Sequence, residues 1–338
     1  MAPEQQIIIG ESPSFLEVIE QASRAAGHDR AVLVIGERGT GKELIASRLH
    51  FLSPRWEQNF VQVNCASLPD TLLESELFGH EAGSFTGATG RRIGRFEEAD
   101  KGSLFLDEIA TTSLTAQEKI LRITEYGTYQ RVGSNKTLNT DVRLIGATNI
   151  DLPSAADLGE FRHDLLDRLA LDVITLPPLR ARKEDILILA THFGQKVAQE
   201  LEWSSFPGYS NELTDIMMEY NWPGNIRELK NVVERAVYYA EHEHKVIDHI
   251  ILDPFQSPFR PKGKKPLTEP THDVTITQTN EIKNQGPADY QQTVERFEKE
   301  LLQNALKTNK FNQRLAAEYL SLSYHQLRHQ LKKHNLLG

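Results

Sequence analysis

The chain has a single cysteine in 338 residues. Cys65 therefore has no intramolecular disulfide partner, and no Cys/His group shows zinc spacing. No stretch approaches the roughly 18 consecutive apolar residues of a membrane span, which argues against direct membrane insertion. Residues 1–10 lack the positive region and apolar core of a secretory signal. An excess of positive charge is missing as well. The formal net charge of −9 excludes a wholly basic nucleic-acid coat, while leaving room for a small basic module at one end. These absences together point to a reducing, cytoplasmic setting. Hydrophobic content of 39% over this length is enough for two or three domains with cores of their own.

What is present begins with alternation. Ser12 and Pro13 open a helical pattern carrying Phe15, Leu16, Ile19, Ala22 and Ala26. Ala31–Ile35 is a short continuous apolar run, and glycines follow it. Comparable runs lie at 60–63, 103–106, 142–147 and 171–176, with helical patterns between most of them. Strands of this kind, alternating with helices, predict an α/β fold with a parallel sheet covered on both faces. After Pro177-Pro178 the strands stop. Helical patterns at 184–201, 210–220 and 224–240 predict a second, all-α subdomain. The expected divisions are 1–176 (α/β), 177–252 (helical lid), 253–287 (a flexible linker rich in Pro, Thr, Asn, Gln and Lys) and 288–338 (a helical tail).

The first run ends in Gly36-Glu37-Arg38-Gly39-Thr40-Gly41-Lys42, the spacing of a phosphate-binding loop placed between a strand and a helix. Its backbone N–H groups and the helix N-terminus suit phosphates, and Lys42 suits the outer ones. The residue after the lysine is usually Ser or Thr, which ligates Mg²⁺; here it is Glu43. The run at 103–106 ends in Asp107-Glu108, at the sheet edge where α/β proteins bind ligands. Asp107 suits a metal ion, directly or through water, and Glu108 suits a general base. Arg162 and Arg168 lie six apart, and guanidinium groups stabilise the charge of phosphoryl transfer; pairing with Asp164 or Asp167 is the structural alternative.

Between the two halves of this site sits Gly83-Ser84-Phe85-Thr86-Gly87-Ala88, preceded by Glu76-Leu77-Phe78-Gly79-His80-Glu81. That placement resembles the bacterial enhancer-binding activators of sigma-54 RNA polymerase, which carry a nearly identical loop. Over about 10–251 the chain is similar to an AAA+ P-loop ATPase. Members commonly have Glu at the position of Glu43 and Ala at that of Ser84. The resemblance implies that Phe85 and Thr86 touch the sigma factor, with Gly83 and Gly87 supplying mobility. It implies that Asn64 senses the γ-phosphate through Glu108, that Thr148 and Asn149 form a first sensor, and that Arg227, in Trp222-Pro223-Gly224-Asn225-Ile226-Arg227-Glu228, is a second. Arg162 and Arg168 become fingers acting on the neighbouring subunit of a homo-hexamer. ATP and Mg²⁺ are the implied cofactors.

The tail reverses the charge balance. From Gln291 to Gly338 eight Lys and Arg face four Glu, a net of +4 in an acidic chain, which suggests an appended nucleic-acid module. Val294, Phe297, Leu301, Ala305 and Leu306 mark one amphipathic helix, and two short helical patterns follow at 312–320 and 323–333. This resembles a Fis-type helix-turn-helix. The resemblance puts Ser323, Tyr324, His325, Gln326, Arg328 and His329 on DNA, with Arg328 the best base reader and Lys332, Lys333 and Arg314 on phosphates. The ATPase pattern starts near residue 10, without a preceding receiver or sensing domain. Control by a separate protein binding the ATPase surface is then expected, and the resemblance implies a negative regulator acting in trans that links the chain indirectly to the inner membrane. Trp56, in the polar stretch 53–59, is the candidate docking side chain. The function expected is enhancer binding with ATP-driven remodelling of the sigma-54 closed complex. The alternative is a DNA-binding repressor with a vestigial ATPase fold.

Overall fold

The computed structural model describes residues 8–84, 88, 90–240, 242–257, 259–260, 298–299, 301–306, 312–320, 322–334 and 336. Phe85, Thr86 and Gly87, Val294 and Phe297, and the expected linker from 261 onward lie outside them. The chain forms two compact units, 1–260 and 261–338.

Unit one is built on five parallel strands: β1 (Val32–Ile35), β2 (Phe60–Asn64), β3 (Ser103–Asp107), and two further strands at Arg143–Thr148 and Val173–Thr175. A short antiparallel pair, β4 (Thr128–Gln130) and β5 (Thr137–Asn139), stands apart from them, so the last two strands of the sheet are β6 and β7. The sheet order is β2-β3-β6-β1-β7, and every neighbouring pair is parallel. β1, and β6 between its terminal Arg143 and Thr148, are apolar, and both strands are almost wholly buried because helices cover both faces.

Helices α1 (Pro13–Ala26) and α2 (Lys42–Phe51) pack on one face with Val32, Val34, Phe105, Ile145 and Ala147. The inward side of α1 is Phe15, Val18, Ala22, Ala25 and Ala26, whereas Leu16 is 51% exposed; the expected stripe is rotated by part of a turn. On the other face lie α3 (Asp70–Phe78), α4 (Arg95–Glu98), α5 (Leu114–Tyr126), α6 (Leu152–Asp157) and α7 (His163–Leu169). The buried Arg143 guanidinium donates to Ala25, Ala26, Leu49 and Arg30 carbonyls, satisfying the C-terminal ends of α1 and α2 with a cation.

The lid comprises α8 (Glu184–Glu200), α9 (Asn211–Glu219) and α10 (Asn225–Tyr238). Its core gathers Leu179, Ile186, Leu189, Met217, Leu229 and Val233 around Trp222, which is fully buried and donates its indole N–H to the Met217 carbonyl at 2.8 Å. In unit two, Leu302, Ala305 and Leu306 pack with Ala316 and Ala317 of a helix at Gln313–Tyr319, and with Leu327 and Leu331 of a helix at Tyr324–Lys333.

Candidate functional site

Gly36–Lys42 turns sharply between β1 and α2. Gly39 (φ 80°) and Gly41 (φ 97°) take the left-handed conformation that glycine adopts at low cost. A Cβ on Gly39 would stand 2.4 Å from the Gly224 carbonyl oxygen, so the loop and the lid turn meet backbone to backbone. The buried Lys42 ammonium donates to the Gly36 carbonyl at 2.9 Å. Burial pushes its pKa down, and the carboxylates of Glu108 and Asp107 nearby oppose that shift. Lys42, Asp107 and Glu108 thus share one electrostatic neighbourhood, as their placement at strand ends predicts.

Glu108 sits at φ 53° and ψ 46°, a left-handed position that costs a non-glycine residue about 1 kcal/mol or more. Glu108 follows directly on the C-terminal end of β3. Asn64, at the end of neighbouring β2, donates to Asp107 Oδ2 at 3.2 Å, while its Oδ1 accepts from the Ala66 N–H. Its partner in this conformation is Asp107 and not Glu108. Thr148 is fully buried and its hydroxyl accepts from the Ile150 N–H, so it shapes the turn after β6; Asn149 beside it is exposed.

Arg227 lies against the phosphate loop. A Cβ on Gly39 would touch its Cβ at 3.1 Å, and its charge is felt at Lys42. Arg162 is turned back onto Asp164, with Nη2 2.7 Å from Oδ2. Arg168 is exposed and has no carboxylate within ion-pair distance among the described residues. Arg162 is the N-cap of α7 and Arg168 lies in its last turn, and neither is among the charges felt at Lys42.

Several residues of the site carry no sequence signal of their own. Asn225, fully buried at φ 53°, accepts from the Leu179 N–H and donates to Glu37 Oε2 (3.1 Å) and the Arg38 carbonyl (3.0 Å). Arg180 holds the same Glu37 in a bidentate pair at 2.5 and 2.8 Å. Arg180 first and Asn225 second pull the Glu37 pKa down to about 2. An apolar cleft of about 90 Å³ opens beside the loop between Phe15, Thr40, Leu44, Leu189, Phe193 and Ile226.

The loop neck is also held by polar contacts. The Gly83 N–H donates to the Ala88 carbonyl at 2.8 Å. Arg131, nearly buried, bridges Glu81 of the neck (3.1 Å) to Glu97 of α4 (2.5 Å). Ser84 packs on Gly133, and its hydroxyl is buried with no partner among the described residues. Where the resembled proteins have Ala, this chain thus buries an oxygen. α3 runs from the Asn64 turn straight into this neck.

A hard divalent cation fits beside these groups only with help. No cluster of three or more acidic, His or Cys ligands exists among the described residues. Asp107 with phosphate oxygens and water matches the way Mg²⁺ is usually held. Glu43 is exposed at the start of α2.

In unit two, Ser323 and Gln326 form a capping box, so both side chains are engaged at the helix start. Tyr324, His325, Arg328, His329 and Lys332 are exposed along the helix, and Arg314 is exposed on the preceding one. Lys333 is exposed as well and pairs with Glu298 at 3.0 Å. Trp56 is 57% exposed.

A glycine-rich phosphate loop, a strand-end carboxylate pair and a helical lid bearing an arginine define a nucleotide-hydrolysing AAA+ protein. Residues 8–175 match the sigma-54 interaction domain, 180–265 the AAA+ ATPase lid domain, and 293–334 the bacterial regulatory protein, Fis family. The Psp operon transcriptional activator of Escherichia coli (strain K12) is 50% identical over 336 residues, covering 99% of this chain and all of that one. The Nif-specific regulatory protein of Azotobacter vinelandii is 47% identical over 241 residues, which is 70% of this chain and 45% of its relative. Among solved structures, NtrX from Brucella abortus in complex with ATP has a TM-score of 0.68 at 29% identity, covering 97% of this chain and 70% of that one. The chain belongs to the family of sigma-54-dependent transcriptional activators, with an ATP-binding AAA+ ATPase and a Fis-type DNA-binding domain.

Proposed function

We propose that this activator assembles as a homo-hexamer, binds enhancer DNA through residues 288–338, and uses ATP hydrolysis in 1–252 to remodel the sigma-54 closed complex into an open one, at an operon of the phage-shock type. The observation that carries this is the continuous path from the carboxylates to the loop. Asn64 bonds Asp107, a single turn joins Asn64 to α3, and α3 ends at the neck held by Arg131. A nine-residue helix transmits displacement as a rod about 13 Å long.

Chemically, the loop N–H groups of 37–42 and Lys42 hold the phosphates. Mg²⁺, held through Asp107 and water, would screen their charge. Glu108 takes the proton of the attacking water as its oxygen bonds the γ-phosphorus and the bond to the β-phosphate oxygen breaks, leaving ADP and phosphate. Arg168, unpaired, and Arg162, once released from Asp164, act on the adjoining subunit's nucleotide. Arg227, Thr148 and Asn149 register the state of the chain's own nucleotide, and the cleft beside Phe15 takes its purine. Phe85 and Thr86, between Gly83 and Ala88, engage the sigma factor. Arg328 reads bases while Lys332 and Arg314 hold DNA phosphates. Trp56, exposed, is the anchor for a negative regulator acting in trans, in a cytoplasmic complex that reaches the inner membrane only through that regulator.

The test is binding of the full chain to sigma-54 with ATP and with ADP plus aluminium fluoride. Complex formation with the transition-state analogue alone, lost in Thr86→Ala, is expected. Absence of binding in every nucleotide state, with DNA binding intact, would instead favour a repressor.

A further inference from the structure

One buried ion pair touches three segments that wall the purine cleft. Arg182 and Asp185 both have no solvent exposure. Arg182 lies between the short turn Leu179–Ala181 and α8, at the entrance to the lid. Its Nη2 donates to the Thr40 carbonyl of the phosphate loop at 3.1 Å, and its guanidinium stands 4.7 Å from the centre of the Phe15 ring. Its Nη1 is 4.0 Å from Asp185 Oδ2. Asp185, in the first turn of α8, accepts from the backbone N–H groups of Glu11 (2.7 Å) and Ser12 (2.8 Å), and from the Ser12 hydroxyl (2.7 Å). The segment before α1 is thereby strapped to the lid.

Stability is a poor account of this arrangement. A buried ion pair gains little over well-packed apolar groups of similar volume. Here Nε and Nη1 of Arg182 have no hydrogen-bond partner among the described residues, and burial pushes the Arg182 pKa down. Each unpaired buried donor is a cost. What the pair does supply is geometry. Thr40 and Phe15, which Arg182 touches, are both cleft walls, and Leu189 on the opposite wall follows Asp185 by one helical turn.

We propose that Arg182 and Asp185 are positioning residues for ATP: the pair locks the N-terminal strap, the phosphate loop and the lid together and so sets the width of the purine cleft. It acts through Thr40 and Phe15 and does not touch the reacting atoms. The effect is therefore on nucleotide affinity and not on the chemical step. The base half of the nucleotide feels it more than the phosphates, whose N–H donors lie along the rest of the loop.

The inference rests on the ATP site above, so wild type and Lys42→Ala are assayed alongside. ATP binding by wild type and its loss in Lys42→Ala uphold that site whatever happens at Arg182. No ATP binding by wild type would remove both.

With the full chain, the Kd for Mg·ATP, KM and kcat for hydrolysis, and Tm are measured for Arg182→Met, Arg182→Lys, Asp185→Asn and Ser12→Ala. Losing a charged hydrogen bond at the cleft wall should raise Kd and KM for ATP about tenfold in Arg182→Met, with kcat within about twofold of wild type. Affinity for inorganic triphosphate should change less. Arg182→Lys should recover part of the loss, because an ammonium can still reach the Thr40 carbonyl. Ser12→Ala removes a single strap bond and should raise Kd about threefold with the fold intact.

A folded Arg182→Met with ATP Kd within twofold of wild type overturns the proposal. So does a fall in kcat at unchanged KM, or a lower Tm in all variants without any change in Kd. Should Arg182→Met not fold, Ser12→Ala and Asp185→Asn decide by the same criteria.

Discussion

Asn225→Ala tests how the lid is fastened to the phosphate loop. Asn225 is fully buried, and its carbonyl is the acceptor for the Leu179 N–H at 2.8 Å. Truncation strands that buried donor, at about 1–3 kcal/mol. The two amide bonds, to the Arg38 carbonyl and Glu37 Oε2, are lost as well. Glu37 is largely open to water, so that bond is discounted and the pair together adds about 1 kcal/mol. Alanine at φ 53° adds about 1 kcal/mol of backbone strain that asparagine bears more easily. The sum is about 3–5 kcal/mol. For a unit of this size that lowers Tm by about 6–20 °C. The assay is thermal unfolding of the full chain, followed by the fluorescence of Trp222, buried in the lid core. Asn225→Gly removes the same bonds without the strain and should lose about 1 kcal/mol less. If Asn225→Ala and Asn225→Gly both melt within about 1 °C of wild type, the turn does not hold the lid and the bookkeeping is wrong.

Three further outcomes are expected. Glu37 is depressed to about 2 from an ordinary value of 4.5, first by Arg180, so the stability it lends is present above pH 4.5 and lost as the pH falls from there towards 2. That acid slope should weaken in salt and flatten in Arg180→Gln; an unchanged slope in the variant would assign it to other carboxylates. Glu108→Gln should keep ATP binding and cut hydrolysis by a factor of about 100 or more, and near-normal turnover would remove Glu108 as the base. Ser84→Ala deletes a buried hydroxyl without a partner among the described residues and should be neutral or stabilising by about 1 kcal/mol, whereas a clear loss of Tm would refute that reading.

The sequence by itself determined a good deal. Short apolar runs separated by helical patterns specify buried parallel strands, because only strands covered on both faces are apolar throughout. Strand ends at 35 and 106 fixed where the phosphate loop and the Asp107–Glu108 pair would stand, since parallel strands point their C-terminal ends the same way. The break at Pro177-Pro178 and the basic tail were legible as changes in period and charge. Local patterns of this sort are set by neighbours in the chain, and so can be seen without a fold.

Tertiary structure decided what depends on distant residues. The sheet order, with β6 inserted between β3 and β1, follows from crossovers and not from any local pattern. The hairpin β4–β5 has three-residue strands too short to show a period, yet it carries Arg131, which is tied to Glu81 fifty residues earlier in the chain. Asn64 bonds Asp107 across 43 residues, and Asp185 holds Ser12 across 173. In the tail, Lys333 pairs with Glu298 across 35 residues, a partner that no local pattern shows. Arg180 and Arg182 sit in ordinary-looking stretches, and Asn225 lies inside the 222–228 motif without a signal of its own. Their importance comes from a folded geometry in which the lid turns back onto a loop nearly 190 residues away, where hydrogen bonds and burial, and not composition, fix which side chains matter.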